Sequence, residues 1–157
     1  MNVFFLDRDP VVAAKYHCDR HVVKMIVETA QLLSTACHMV GVDDNDLYKK
    51  THVNHPSSVW VRSSRHHYVW TLRLLVALCR EYTGRYRKIH KTEDKVAVLS
   101  KYQDLFDDVA WSDPPQCMPD EYKNNLATFA YREYYNGEKR SFATWKNEVP
   151  FWWRQDA

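Results

Sequence analysis

Apolar residues along this chain recur mostly at helical rather than alternating spacing. Residues 2–6 (Asn-Val-Phe-Phe-Leu) form a short apolar run closed by Asp7-Arg8-Asp9-Pro10, which reads as an extended segment leading into a helix with Asp9 as N-cap and Pro10 at its first position. From residue 10 to about residue 39 nothing interrupts the helical pattern, and Val22, Val23, Ile26, Ala30 and Leu33 fall on one face until Gly41 supplies a stop. Residues 41–57 are polar and turn-rich and end in Asn54-His55-Pro56-Ser57, a second helix start. The next helix is expected from about residue 58 to 83, with Trp60, Val61, Trp70, Leu74, Leu75 and Leu78 as core and Thr83-Gly84 as its end. A shorter one is expected over 92–107. Residues 111–119 hold three prolines, which precludes a regular helix and marks an ordered crossing or a lid. The pattern resumes over 120–136 with Leu126, Phe129, Ala130 and Tyr134, and Asn136-Gly137 reads as its stop. A last helix over 138–147 leads into Pro150-Phe151-Trp152-Trp153, an aromatic tail expected to dock on the domain. Together these elements predict a mainly α fold: a single compact domain, 1–157, of about five helices with a short extended N-terminal segment.

Composition narrows the class. With 157 residues, 45% apolar and 14% aromatic, the chain is long and greasy enough to bury a core, and only 3 Gly and 6 Pro argue against disordered or collagen-like chains. No window reaches 18 consecutive apolar residues and the first ten lack a basic start followed by a long apolar run. No membrane span or secretory signal is therefore expected, and the expected location is the cytoplasm, that of the host cell if the source is viral. Cys18, Cys37, Cys79 and Cys117 form no C-x-x-C pair, so buried reduced thiols are expected ahead of a zinc ribbon or disulfides. The net charge of +2 conceals strong asymmetry: residues 58–91 hold eight Lys and Arg against one acid, Glu81, while 92–120 hold two bases against seven acids. Such blocks point to a polyanionic partner or to a solvated face with its counter-charges elsewhere.

The most informative chemistry is a stripe on the first helix. His17, His21, Lys24 and Glu28 are spaced +4, +3 and +4, placing them within about 60° of one another on a helix, and Gln31 extends the row. Two imidazoles, an amine and a carboxylate in one line suit an active-site wall: a histidine to move protons, Lys24 to bind an anion or act as nucleophile, Glu28 to orient or activate it. The bland alternative is a surface face with a Lys24–Glu28 pair. His17 and His21 also have the H-x-x-x-H spacing of a zinc chelate, but Asp19 and not Glu follows two positions on, and neither a metal nor another cofactor is expected.

Three further clusters carry charge. Around the second helix start, His52, Asn54 and His55 stand with Ser57 and Ser58 where free backbone N–H groups and the helix dipole favour an anion, or where they merely cap the helix. Arg62, His66, Arg73 and Arg80 recur at +4, +7 and +7, with Arg65 at the edge and Arg85, Arg87, Lys88, His90 and Lys91 beyond Gly84, a ladder suited to a phosphate backbone unless the following acids pair with it. Tyr131, Arg132, Tyr134, Tyr135, Lys139, Arg140, Trp145 and Lys146 interleave aromatic rings and bases, as in surfaces that stack unpaired bases, although helical spacing makes Tyr131, Tyr135 and Trp145 good core residues.

The opening FLDRDP (5–10), the run HCDRHVVKMIVETAQLLSTA (17–36), YKKTHVNHPSSVW (48–60), and the late MPDEY (118–122) and YREYY (131–135) resemble a group of short phage-type proteins of uncharacterised function, over most of the chain. More distantly, the plan resembles the small helical pyrimidine-dimer DNA glycosylases with AP-lyase activity. The similar features are a histidine at the position of His17 on a long helix, a basic helix after a His-Pro turn, and a tyrosine-rich cluster at 131–135. That resemblance implies binding of duplex DNA, a flipped base, and attack of the chain's α-amine on the sugar C1′ with help from a helix glutamate. Aligned on His17, this sequence carries Lys24 at the glutamate's position and Glu28 one turn later, so either Lys24 is the amine and Glu28 its partner, or the fold serves another DNA-directed reaction.

The expected function is thus a DNA glycosylase/lyase-like enzyme whose catalytic wall is His17, His21, Lys24 and Glu28. Phosphates would be held by His52, Asn54, His55, Arg62, Arg65, His66, Arg85, His90, Lys91, Tyr131 and Arg132. The competing expectations are a non-catalytic phage DNA-binding accessory protein and a nucleotide- or base-modifying enzyme using the same stripe.

Overall fold

A computed structural model describes residues 2–155. Six α-helices and three short 3-10 turns make up the regular structure of the described residues, with no strand among them. The helices are α1 (Pro10–Tyr16), α2 (Asp19–Met39), α3 (Pro56–Arg62), α4 (Arg65–Tyr86), α5 (Val96–Lys101) and α6 (Ala127–Glu138). No described helix is long and apolar enough to cross a membrane.

The mainly α architecture is as expected, but two expected helices are each divided. Residues 10–39 break at His17 and Cys18, whose backbones are extended. No proline or glycine causes this; side chains satisfy the carbonyls that the broken helix frees. The His17 amide donates to the Ala14 carbonyl at 3.1 Å and its Nδ1 to the Ala13 carbonyl at 2.7 Å. Arg85 donates to the Lys15 and His17 carbonyls at 3.0 and 2.8 Å, and the Trp145 indole N–H to that of Tyr16 at 2.9 Å. The second break is at Ser63-Ser64, where the Ser64 hydroxyl accepts from the His66 amide and donates to the Val109 carbonyl, fixing the start of α4 to the acidic segment.

Helix starts follow local chemistry. Asp9 caps α1 by accepting from the Val11 amide at 2.8 Å, and the His55 imidazole caps α3 by accepting from the Ser57 amide at 3.1 Å. Of the expected helix stops, Gly41 follows the end of α2 with φ of 95°, but α4 runs through Gly84 and α6 through Gly137. Gly137 meets a different demand, because a Cβ there would collide with the Tyr122 side chain. The expected helix over 138–147 does not form, and the helix expected over 92–107 is a 3-10 turn (Lys91–Lys95) followed by the short α5 and a second 3-10 turn.

α2 and α4 pack antiparallel. At one end the Cys37 thiol meets the Tyr68 hydroxyl at 3.3 Å, and at the other Arg85 meets Asp19 at 3.0 Å. Their apolar faces join Val3–Leu6 of the N-terminal segment, α1, α3 and α6 in one continuous core. The proline-rich crossing lays Trp111 against Phe5, Trp60, His67 and Trp70. The C-terminal aromatics dock as expected, with Trp152 on Tyr16 and Tyr135, although Phe151 is exposed. All four cysteines are free thiols, three of them buried.

Candidate functional site

The stripe on α2 is shorter than its spacing promised. His17 stands in the break before the helix and is fully buried, so the helical chelate of His17 and His21 does not form. Because the Ala13 carbonyl accepts from Nδ1, that nitrogen carries the ring proton, and Nε2 is an acceptor buried without a hydrogen-bond partner. Burial, reinforced by the charge of Arg85, lowers the imidazole's pKa to about 4. His21 is also buried, with Nδ1 at 2.6 Å from the Tyr135 hydroxyl. Burial holds its pKa down at about 2, and the positive side chains of Lys139, Lys24 and Arg20 act in the same direction. Burial also pushes the Tyr135 hydroxyl well up, so at neutral pH the pair is an uncharged imidazole against an uncharged phenol.

Around this neutral pair the surface is cationic and aromatic. Phe4 lies 4.5 Å from the His21 ring, and Phe142, which carries the Arg20 guanidinium on its face at 4.4 Å, lies 5.5 Å from it. Lys139 Nζ sits 4.6 Å from the Tyr134 ring centre and 6.0 Å from that of Phe4. One turn and two turns along α2 from His21 come Lys24, which is solvent-exposed, and Glu28, whose side chain is only 20% exposed. Lys24 Nζ and Glu28 Oε2 are 3.7 Å apart.

The same face of α2 continues to Gln31 and Thr35, and there the 51–58 loop docks. The Thr35 hydroxyl donates to the Thr51 carbonyl at 3.3 Å and accepts from the Thr51 amide at 3.2 Å. Seven residues separate Glu28 from Thr35, about 10 Å along a helix. The stripe and the His52–His55 cluster thus border one face, with Lys139 and Arg20 at one end and the loop at the other. Within the loop the His52 Nδ1 is 2.8 Å from the Thr51 hydroxyl, and His52 has φ of 49°, the left-handed region, unusual for a residue with a side chain. Asn54 is exposed. His55 uses Nδ1 to cap α3, which leaves Nε2 as its donor, and burial lowers its pKa from the usual imidazole value.

Most of the other expected phosphate ligands are engaged elsewhere. Arg62 turns inward, donating to the Val53 carbonyl at 2.8 Å and to Ser58, and so pins the loop. Arg85, with a side chain 2% exposed, is a buried clamp between Asp19, Glu81 and the end of α1. Tyr131 is buried, its hydroxyl donating to the Pro115 carbonyl, and Arg132 holds the Leu6 carbonyl and Asp7 among the rings of Tyr16, Phe151 and Trp152. The His90 imidazole caps the 3-10 turn by accepting from the Thr92 amide, while Lys91 is exposed. Arg65 and His66 both face Asp108, at 3.5 and 2.7 Å. Arg65 and His66, on the outer side of α4, point away from the face shared by Lys24 and Glu28, because α2 and α4 bury the sides on which they pack.

The residues the sequence reading undervalued are Tyr135, assigned there to the core, and Lys139. Their proximity to His21 has no local signal, since 114 residues separate Tyr135 from His21. Among the described residues no group of three or more His, Cys, Asp or Glu side chains is placed to hold a metal ion. The N-terminal amine lies outside the described residues. Comparison of the chain with protein-family models, with curated proteins and with solved structures finds no match.

Proposed function

We propose that the protein is a DNA-acting enzyme of glycosylase/lyase type and that its chemistry takes place on the α2 face between Lys139 and the 51–58 loop. The observation that supports this reading is the docking of the loop on Thr35, which brings Thr51, the neighbour of His52, to the α2 face that carries Lys24 and, two turns before Thr35, Glu28. A half-buried carboxylate beside an amine, bounded by cations at one end and imidazole donors at the other, suits a sugar carrying phosphates on both sides. The substrate is duplex DNA with a base or abasic sugar turned out toward α2.

In this reading Glu28 takes a proton from Lys24, and the freed amine attacks C1′ of the sugar. The bond to the base breaks with its electron pair passing to the base, and the attacking nitrogen gives up a proton. The C1′–O4′ bond then opens with its electron pair and a proton passing to the ring oxygen, and the nitrogen lone pair forms the iminium that joins protein and sugar. At an abasic aldehyde the amine adds to the carbonyl and water leaves to give the same iminium. His21 takes no part in proton transfer. Held neutral by burial and fixed to Tyr135, it positions the first turns of α2 against α6. The four free thiols fit a reducing cytoplasm.

Borohydride reduction in the presence of a duplex with one abasic site tests the reading. A covalent protein–DNA adduct is expected with the wild type, reduced about 100-fold or more in Glu28→Gln. Loss in Lys24→Ala as well assigns the amine to Lys24. Retention in Lys24→Ala with loss in Glu28→Gln assigns it to another amine served by the same carboxylate. No adduct with the wild type removes the lyase mechanism.

A further inference from the structure

The outer face of α4 is the largest cationic feature that the α2 site does not use. His66, Arg73, Arg80 and Arg87 recur every seven residues and are all exposed. The side chains of Arg73, Arg80 and Arg87 have no hydrogen-bond or ion-pair partner among the described residues, in contrast to the inward-facing Arg62 and Arg85 of the same basic block. At the first step of the row, a cleft of about 320 Å³ opens between Arg65, His66 and Arg73 and the rings of Trp70 and Trp111. The two acids beside that cleft come from one crossing: Asp108 bridges His66 and Arg65, and Asp113 reaches Arg8 at 3.5 Å.

We propose that this face is a second binding site for duplex DNA, gripping the phosphate backbone along the Arg73–Arg80–Arg87 row, and that Asp108 is an internal carboxylate that a phosphate displaces from Arg65 and His66. Spacing favours a polymer over a single phosphate. Each seven-residue step advances about 10.5 Å along a helix. Duplex DNA carries one charge per about 1.7 Å of its axis with both strands counted, so each step passes several phosphates. A mononucleotide reaches one arginine of such a row; a duplex, which presents phosphates of both strands along its side, reaches several. The site does not depend on chemistry at Glu28. Because α4 faces away from the α2 stripe, one straight duplex does not touch both faces, and the protein holds two duplex segments.

The experiment measures binding of an undamaged 30-base-pair duplex over a series of salt concentrations, with the stoichiometry determined at low salt. Wild type is expected to bind two duplexes per chain. The Arg73→Ala/Arg80→Ala double variant is expected to retain one, to lose about tenfold or more in affinity for the other, and to lower the slope of log K against log salt by about two. Asp108→Asn is expected to raise affinity severalfold at the same site. The double variant leaves borohydride trapping at saturating protein unchanged, so failure of the α2 chemistry and failure of this site are read separately: with no chemistry at α2, the wild type still loses duplex binding on Arg73→Ala/Arg80→Ala substitution. An unchanged affinity and slope in the double variant overturns the proposal, as does an Asp108→Asn protein no tighter than wild type. Equal affinity for a mononucleotide, with a slope of about one, overturns the assignment to a polymer.

Discussion

α2 and α4, of 21 and 22 residues, are the two longest helices, and both repeat charged or titratable side chains at seven-residue spacing. Their fates differ. On α2 the row begins inside the protein, where His21 is buried against Tyr135, reaches solvent at Lys24 and is largely covered again at Glu28. On α4 the row stays outside along its whole length, while Arg85, off that line, and Arg62, at the end of α3, are drawn inward as donors to backbone carbonyls. Spacing alone does not separate a catalytic wall from a packing contact. What separates them is which neighbour covers the row: α6 and the C-terminal segment close over the start of α2, and among the described residues nothing comparable lies over the outer face of α4.

The sharpest way to break this contrast is to exchange an inward arginine for alanine and compare it with an outward one. Arg85→Ala leaves Asp19 and Glu81 without their common cation and two carbonyls at the α1–α2 break without donors. Breaking a buried ion pair costs about 3–5 kcal/mol, and thermal or denaturant unfolding is expected to show a loss of that size. Arg73→Ala, by contrast, is expected to shift stability by no more than about 0.5 kcal/mol. Equal effects would mean that the two rows are not different in kind.

Acid unfolding tests the buried end of the α2 row. In the unfolded chain His17 and His21 titrate near 6.5, but in the folded protein burial lowers them to about 4 and about 2. Between these limits the unfolded chain binds more protons, so stability falls as pH drops below 6.5. The slope is about 1.4 kcal/mol per pH unit for each histidine, the contribution of His17 levelling off below about pH 4. Above pH 6.5 neither histidine contributes a slope. His17→Asn is expected to flatten the stability–pH curve between pH 4 and 6.5 by about 1.4 kcal/mol per unit. An unaltered slope would show that His17 is charged or solvated in the native protein.

The same contrast explains what the sequence made legible. The helical class, the Asp9-Pro10 start, the His55-Pro56 start and the docking of the aromatic tail rest on local chemistry, and each can be read within a few residues. Ser64 belongs with them, since a serine N-cap is a local signal, although the apolar run across it reads as one helix. The break at His17 is different: it depends on Arg85 and Trp145, which lie 68 and 129 residues from the carbonyls of His17 and Tyr16 that they satisfy. For the same reason a helical wheel places His17 in line with Lys24, when its backbone has already left the helix. The acidic segment was legible as a cover for the basic ladder, but Asp108 pairs with Arg65 and His66 and leaves Arg73 and Arg80 open.

The smallest expected effect comes from the last member of the outward row. Arg87 ends α4 in the left-handed conformation, φ 60°, with its amide donating to the Thr83 carbonyl at 2.9 Å. A residue with a Cβ is strained there, and glycine is the usual occupant of such a helix end. The guanidinium contributes charge to the row and the backbone bears the strain, so one substitution separates the two. Arg87→Gly is expected to stabilise the fold by about 0.5–1 kcal/mol while lowering the salt slope of duplex binding by about one. A gain in stability without a change in slope would place Arg87 outside the DNA-binding row and shorten it to Arg73 and Arg80. A loss of stability would show instead that the Arg87 side chain packs against the end of α4, making this end of the row resemble the buried start of α2.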